Sequence, residues 1–136
     1  MKRLILILCI AFISDRVGYA PEYKTLIIEQ VKPINPYEAI WEAVCKTESS
    51  GRAYVINKKE LAYGIAQIRI SKLKDYNRLT KNNYTLIDCL DPDKSKKIFM
   101  FFSGRYNPNE YRAIARDWNK SKTEKYWNKV KINLVD

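Results

Sequence analysis

Four times along the chain a helix-start signature is followed by an apolar stripe of helical period. Asn-Pro-Tyr-Glu at 35–38 offers Asn35 as N-cap, Pro36 as first helical residue and Glu38 at the third position. Asn-Pro-Asn-Glu at 107–110 repeats the pattern. Asp-Pro-Asp-Lys at 91–94 offers Asp91 and Pro92, and Ser-Lys-Thr-Glu at 121–124 reads as a capping box. The stripes behind them are Ile40, Trp41, Val44 and Cys45; Ile98, Phe99, Phe101 and Phe102; Tyr111, Ile114, Ala115 and Trp118; and Tyr126, Trp127 and Val130. A further short helix is expected over 71–79, with Leu73, Tyr76 and Leu79 inward. Only Ala-Tyr-Val-Ile at 53–56 and Leu-Ala-Tyr at 61–63 read as strands, joined by the polar turn Asn-Lys-Lys-Glu. The expected class is mainly α (α+β): one helical domain with one small hairpin or extended element. There is no internal repeat and no Gly/Ser-rich linker.

The N-terminus reads differently. Lys2 and Arg3 precede ten apolar residues, Leu4 to Ile13, and then small residues at Gly18 and Ala20. That is the layout of a secretory signal peptide over 1–20. The run is well short of the roughly 20 residues that span a bilayer. An uncleaved interfacial anchor is the alternative. Cleavage after Ala20 would leave a domain over 21–136, opening on an irregular or loosely helical stretch that ends at Pro33, with no integral membrane segment. It would carry 22 basic against 14 acidic side chains, a net charge of about +8. A surface of that sign suits a polyanion, and export favours an acidic wall polymer over nucleic acid. Charge kept for solubility is the plainer explanation.

The chain has no histidine, which removes Ser-His-Asp and Cys-His catalysis. With Cys45 and Cys89 widely spaced, a zinc site is not expected either. No cofactor is expected. Whether the two cysteines pair is open; export would permit a disulfide. Any proton chemistry must come from carboxylates, Tyr, Lys or Cys.

One carboxylate stands on the wrong face of its helix. At about 100° per residue, Trp41 and Val44 fall within about 40° of Glu48, Cys45 at about 60° and Ile40 at about 80°. Glu48 therefore continues the apolar stripe, while Glu42 and Lys46 take the other side. Gly51 is a natural helix stop just beyond it. Partial burial and the nearby helix end would both disfavour the anion; Lys46, Arg52 and the positive field would favour it. If the first pair wins, Glu48 is a general acid. If not, it is a glutamate at a fraying end, reaching for water. Neither Glu60, in the turn, nor Asp75 can be placed opposite it from sequence, so no two-carboxylate pair is evident.

From Glu48 onward the residues resemble a known family. Glu-Ser-Ser-Gly at 48–51, Gly-Ile-Ala-Gln at 64–67, Ala-Arg-Asp-Trp-Asn at 115–119 and Thr-Glu-Lys-Tyr-Trp-Asn-Lys-Val at 123–130 are similar, in order, to the motifs of soluble-type lytic transglycosylases. The resemblance covers about 83 residues. Goose-type lysozymes are close neighbours of that family. It implies a lysozyme-like fold with a groove for peptidoglycan glycan strands, in the periplasm or cell envelope, open to recruitment by a larger envelope machine. Glu48 matches the single acid/base. It would protonate the glycosidic oxygen between N-acetylmuramic acid and N-acetylglucosamine, then take the proton of the muramic 6-hydroxyl as that oxygen closes on C1. The product would be a 1,6-anhydro end.

The same resemblance assigns substrate contacts. Ser49 would orient the acid, or be an ordinary helix-end hydroxyl. Gln67 matches a sugar-contacting glutamine, and Gly64 a backbone approach to the groove or a plain turn. Asn119 matches the asparagine that holds an N-acetyl group, with Trp118 in the aromatic place, and Tyr126 the tyrosine that reaches the glutamate. Three departures stand out. Lys120 and Ser121 replace glycines common after the asparagine. Ala66 replaces a methionine. Arg-Ala-Tyr-Val-Ile-Asn-Lys-Lys-Glu-Leu-Ala-Tyr at 52–63 is not the usual Pro-Ala loop. A hydrolytic muramidase on the same fold and a catalytically silent glycan-binding module are the alternatives.

Overall fold

The computed structural model describes residues 34–134. The expected signal peptide and residues 21–33 lie outside them. Among the described residues, five helices and a small antiparallel sheet make a mainly helical α+β unit, the class read from the sequence. No helix among the described residues is long and apolar enough to cross a membrane.

Helix α1 runs Glu38–Ser49. It starts two residues later than the Asn-Pro signature predicts. Asn35 Oδ1 accepts from the Tyr37 amide at 3.0 Å and Asn35 O from Glu38 N, so Asn35 and Pro36 form a turn that delivers the helix. Ile40, Trp41, Ala43, Val44 and Cys45 are buried, while Glu42 and Lys46 are exposed. The helix ends on two successive left-handed residues, Ser50 (φ 56°) and Gly51 (φ 76°), whose amides return to the carbonyls of Lys46 and Cys45.

Three strands of two residues follow: β1 Ile56–Asn57, β2 Ala62–Tyr63 and β3 Ile68–Arg69. They pair in order, Ile56 with Tyr63, Ala62 with Arg69, and Tyr63 with Ile68. A hairpin forms in the expected region, but its first strand is Ile56–Asn57, shifted from the expected 53–56, with Ala53 and Tyr54 in a turn, and β3 is an addition. Helix α2, Ile70–Thr80, leaves β3 without a linker. Leu73 and Tyr76 are buried, but Leu79 is exposed, against expectation. Lys72 takes the inward place instead, because two aromatic rings receive it (below).

A 3-10 turn at Asp88–Leu90 leads into α3, Pro92–Ser103. Here the signature reads true: Asp91 caps the helix, accepting from the amides of Asp93 and Lys94. Helix α4 spans Tyr111–Asn119 and α5 spans Glu124–Ile132. Both start late. Asn107 O accepts from Glu110 N, closing a turn ahead of α4. Glu124 is the first residue of α5, not its third, and it pairs with Arg112 at 2.8 Å instead of completing a capping box. Phe99 is fully buried between Trp41 and Trp118, with ring centroids at 5.2 and 5.0 Å, so α1, α3 and α4 meet at one aromatic stack. Each such pair contributes about 0.5–1.5 kcal/mol beyond its area.

Candidate active site

Glu48 sits in the last turn of α1, half-buried, where the apolar stripe points it at α5. Tyr126 of α5 meets it: the hydroxyl donates to Glu48 Oε1 at 2.7 Å. The register of the two helices is pinned one residue away. Asn133 Nδ2 donates to Thr47 Oγ1 at 3.0 Å, and Thr47 Oγ1 lies 3.5 Å from the Lys129 carbonyl.

Burial pushes the Glu48 carboxyl above the ordinary glutamate value and is the largest influence on it. The Tyr126 hydroxyl, the Asn119 amide and the Arg69 charge pull it down, and Glu60 adds to the rise. The net direction is upward. Tyr126 is itself raised, by burial and then by the Glu48 charge, so it stays a proton-bearing donor. A half-buried carboxyl with an upward shift and a fixed donor on one oxygen can hold a proton and release it to a ligand.

The loop at 64–67 faces this carboxylate and is tied down one carbonyl at a time. Gln67, itself left-handed at φ 50°, donates Nε2 to the Gly64 carbonyl at 2.9 Å and to Val55 O at 3.3 Å. The Ile65 carbonyl takes Ser49 Oγ at 2.8 Å. The Ala66 carbonyl takes Trp118 Nε1 at 3.2 Å. Ser49 is buried, and its hydroxyl joins the helix end to the loop. Gly64 is left-handed (φ 77°), and a Cβ there would lie 1.8 Å from the Cys89 carbonyl oxygen. Its close approach is thus to the 3-10 turn and not to a ligand groove. Any side chain is excluded.

Two hollows, of about 180 and 330 Å³, both have Glu48 in their lining. The larger lies inside the range of roughly 300–1,000 Å³ typical of ligand clefts. Glu48, Asn119, Glu60 and Arg69 line both. Gln67 and Trp118 line the first, and Tyr126 the second. Ser49 and Gly64 line neither and hold the frame. Helix α4 brings Asn119 in because it ends there, at Lys120 in left-handed conformation (φ 53°).

Among the lining residues, Glu60, Arg69 and Lys72 carry charge into the hollows at places that sequence alone does not fix. Glu60 and Arg69, from the β1–β2 turn and β3, form an ion pair at 2.5 Å that borders both hollows. Lys72 lines the first hollow. In sequence Glu60 and Arg69 are ordinary polar residues, and only the pairing of β2 with β3 brings them together. Cys45 and Cys89 are both free and buried, each thiol pushed up to about 12 by burial, which leaves them protonated and unreactive. Among the described residues no three His, Cys, Asp or Glu side chains cluster closely enough to hold a metal ion.

Neither the known family models, the curated proteins nor the solved structures gave a match to this chain.

Proposed function

We propose that the protein is a peptidoglycan lytic transglycosylase acting outside the cytoplasmic membrane, with Glu48 as its single acid/base. The observation that carries the reading is the pairing of Glu48 with Tyr126 at the junction of two hollows. The motif residues add to it. Gln67, Trp118, Asn119 and Tyr126, which the resemblance assigns to a sugar groove, all line hollows that meet at Glu48. Lys120, standing where relatives carry glycine, adopts the left-handed conformation glycine favours.

The chemistry follows from the carboxyl. Oε1 is engaged by Tyr126, so Oε2 carries the proton. Glu48 gives it to the glycosidic oxygen as the bond from that oxygen to C1 of the muramic residue breaks. The substrate's own N-acetyl group stabilises the charge at C1. Glu48, now a carboxylate, takes the proton of the 6-hydroxyl as O6 bonds to C1. Glu48 ends protonated again by the 6-hydroxyl's proton, its first proton having left on the 4-hydroxyl of the departing N-acetylglucosamine, and no water enters. Asn119 would hold the N-acetyl group, with Gln67 and Trp118 on the neighbouring sugar. Release of dye-labelled fragments from purified sacculi tests this. Wild type releases them, and Glu48→Gln, folded by circular dichroism, does not. Equal release by both would end the claim.

A hydrolytic muramidase is the second reading, because Glu60 borders both hollows beside Glu48. Its carboxylate would have to free itself from Arg69 to activate a water. The product decides between them: a water-derived reducing end, or an anhydro end.

A further inference from the structure

Lys72 is a buried cation that the proposed reaction does not use. It is 7% exposed, yet it lines the hollow beside Glu48. Its Nζ lies 4.5 Å from the Trp118 ring centroid and 4.8 Å from that of Phe102. One N–H donates to the Asp117 carbonyl at 3.1 Å. An ammonium has three donors. Among the described residues no carboxylate forms an ion pair with it. The other basic side chains bordering the two hollows, Arg69, Lys120, Lys125 and Lys129, are exposed.

That contrast decides what each can do. A solvated ammonium gains little from an anion, because water and salt screen it. An ammonium already stripped of water and fixed by two rings and a carbonyl has met that cost in the folded protein, and an incoming carboxylate then binds a pre-oriented donor. Burial lowers its pKa to about 8, with Lys120 and Arg105 adding to the fall and Asp117 and Asp75 opposing it, so it is charged at neutral pH.

We propose that Lys72 anchors a carboxylate of the glycan strand and makes the groove prefer muramic-acid strands to neutral N-acetylglucosamine polymers. The inference rests on the glycan reading above. The carboxylate has two sources: the lactyl group of a strand without peptides, or the stem peptide of an intact one.

The test uses the full chain with Glu48→Gln, so that nothing is cleaved, and titrates three tetrasaccharides by calorimetry at pH 7. One is the neutral N-acetylglucosamine tetramer, the second a peptide-free strand alternating with muramic acid, the third the same strand with stems. Lys72 as anchor predicts roughly tenfold tighter binding of an anionic strand than of the neutral one, the scale of one charged hydrogen bond. Preference for the peptide-free strand identifies the lactyl carboxylate. Preference confined to the third identifies the stem. Lys72→Met, which keeps the packing, and Lys72→Gln, which keeps a donor for the Asp117 carbonyl, should each abolish the preference, and Lys72→Arg should retain part of it. Unchanged preference in either folded neutral variant overturns the anchor while leaving the glycan reading intact. Equal binding of all three strands by the parent does the same. No binding of any strand overturns both.

Discussion

Tyr126 and Glu48 stand 78 residues apart in sequence and 2.7 Å apart in space. The hydroxyl is the strongest of the contacts that hold the carboxyl down against the rise imposed by burial. Tyr126→Phe removes that restraint, so the Glu48 pKa should rise further. If the protonated carboxyl is the working form, the alkaline limb of the pH–rate profile moves to higher pH. The rate itself should fall roughly tenfold, matching about 1–1.5 kcal/mol for one lost hydrogen bond. A pH profile of kcat for both proteins measures the two effects separately.

The raised carboxyl of Glu48 also predicts a stability signature. Its folded-state pKa lies above the unfolded value, so the folded state binds the proton more tightly. That contribution is complete below the unfolded pKa and is lost as pH rises through the folded one. Glu48→Gln removes the cost of a buried anion and leaves Tyr126 an acceptor. Its Tm should exceed that of wild type at neutral pH, and the gap should close in acid. Thermal melts across pH read this directly, and a gap that widens in acid would contradict the shift.

Gly64 and Gly51 share a left-handed backbone and differ in surroundings. Gly51→Ala meets nothing within 4 Å and should cost about 1–2 kcal/mol for the backbone alone. Gly64→Ala drives a methyl into the Cys89 carbonyl and should cost about 3 kcal/mol or more. Urea unfolding of the two variants side by side isolates the steric part.

Ser49 ties the end of α1 to the Ile65 carbonyl. Ser49→Ala leaves that carbonyl without its donor, a loss of about 1–3 kcal/mol. Because the bond holds the loop at 64–67 against the turn that carries Glu48, glycan release should fall along with stability. Ser49→Thr, which keeps the hydroxyl, should lose less of both.

The sequence read well wherever one residue's own geometry decides. The angle of Glu48 on its helix placed it with the apolar stripe, and the structure half-buries it there. Asp91 caps α3 as its signature demands. Asn35 and Asn107 mislead because the same Asn-Pro chemistry also closes a turn before a helix, and local sequence does not separate the two. Strand β3 escaped because two residues carry no alternation; its pairing with β2 makes it a strand. Lys72 reads as solvent-facing until Phe102 and Trp118, from two later helices, close over it. Glu60 and Arg69 likewise acquire their place only through the sheet. Gln67, Trp118, Asn119 and Tyr126 stood out one by one in the sequence and border the hollows beside Glu48, whereas the carbonyl ties that set the 64–67 loop were not legible.

The most direct measurement is digestion of purified peptidoglycan in heavy-oxygen water, followed by mass analysis of the fragments. The account predicts muropeptides lighter than hydrolysis products by one water, free of heavy oxygen at the new end, and absent with Glu48→Gln. Reducing ends carrying the heavy label, or intact sacculi in the presence of folded protein, would contradict it.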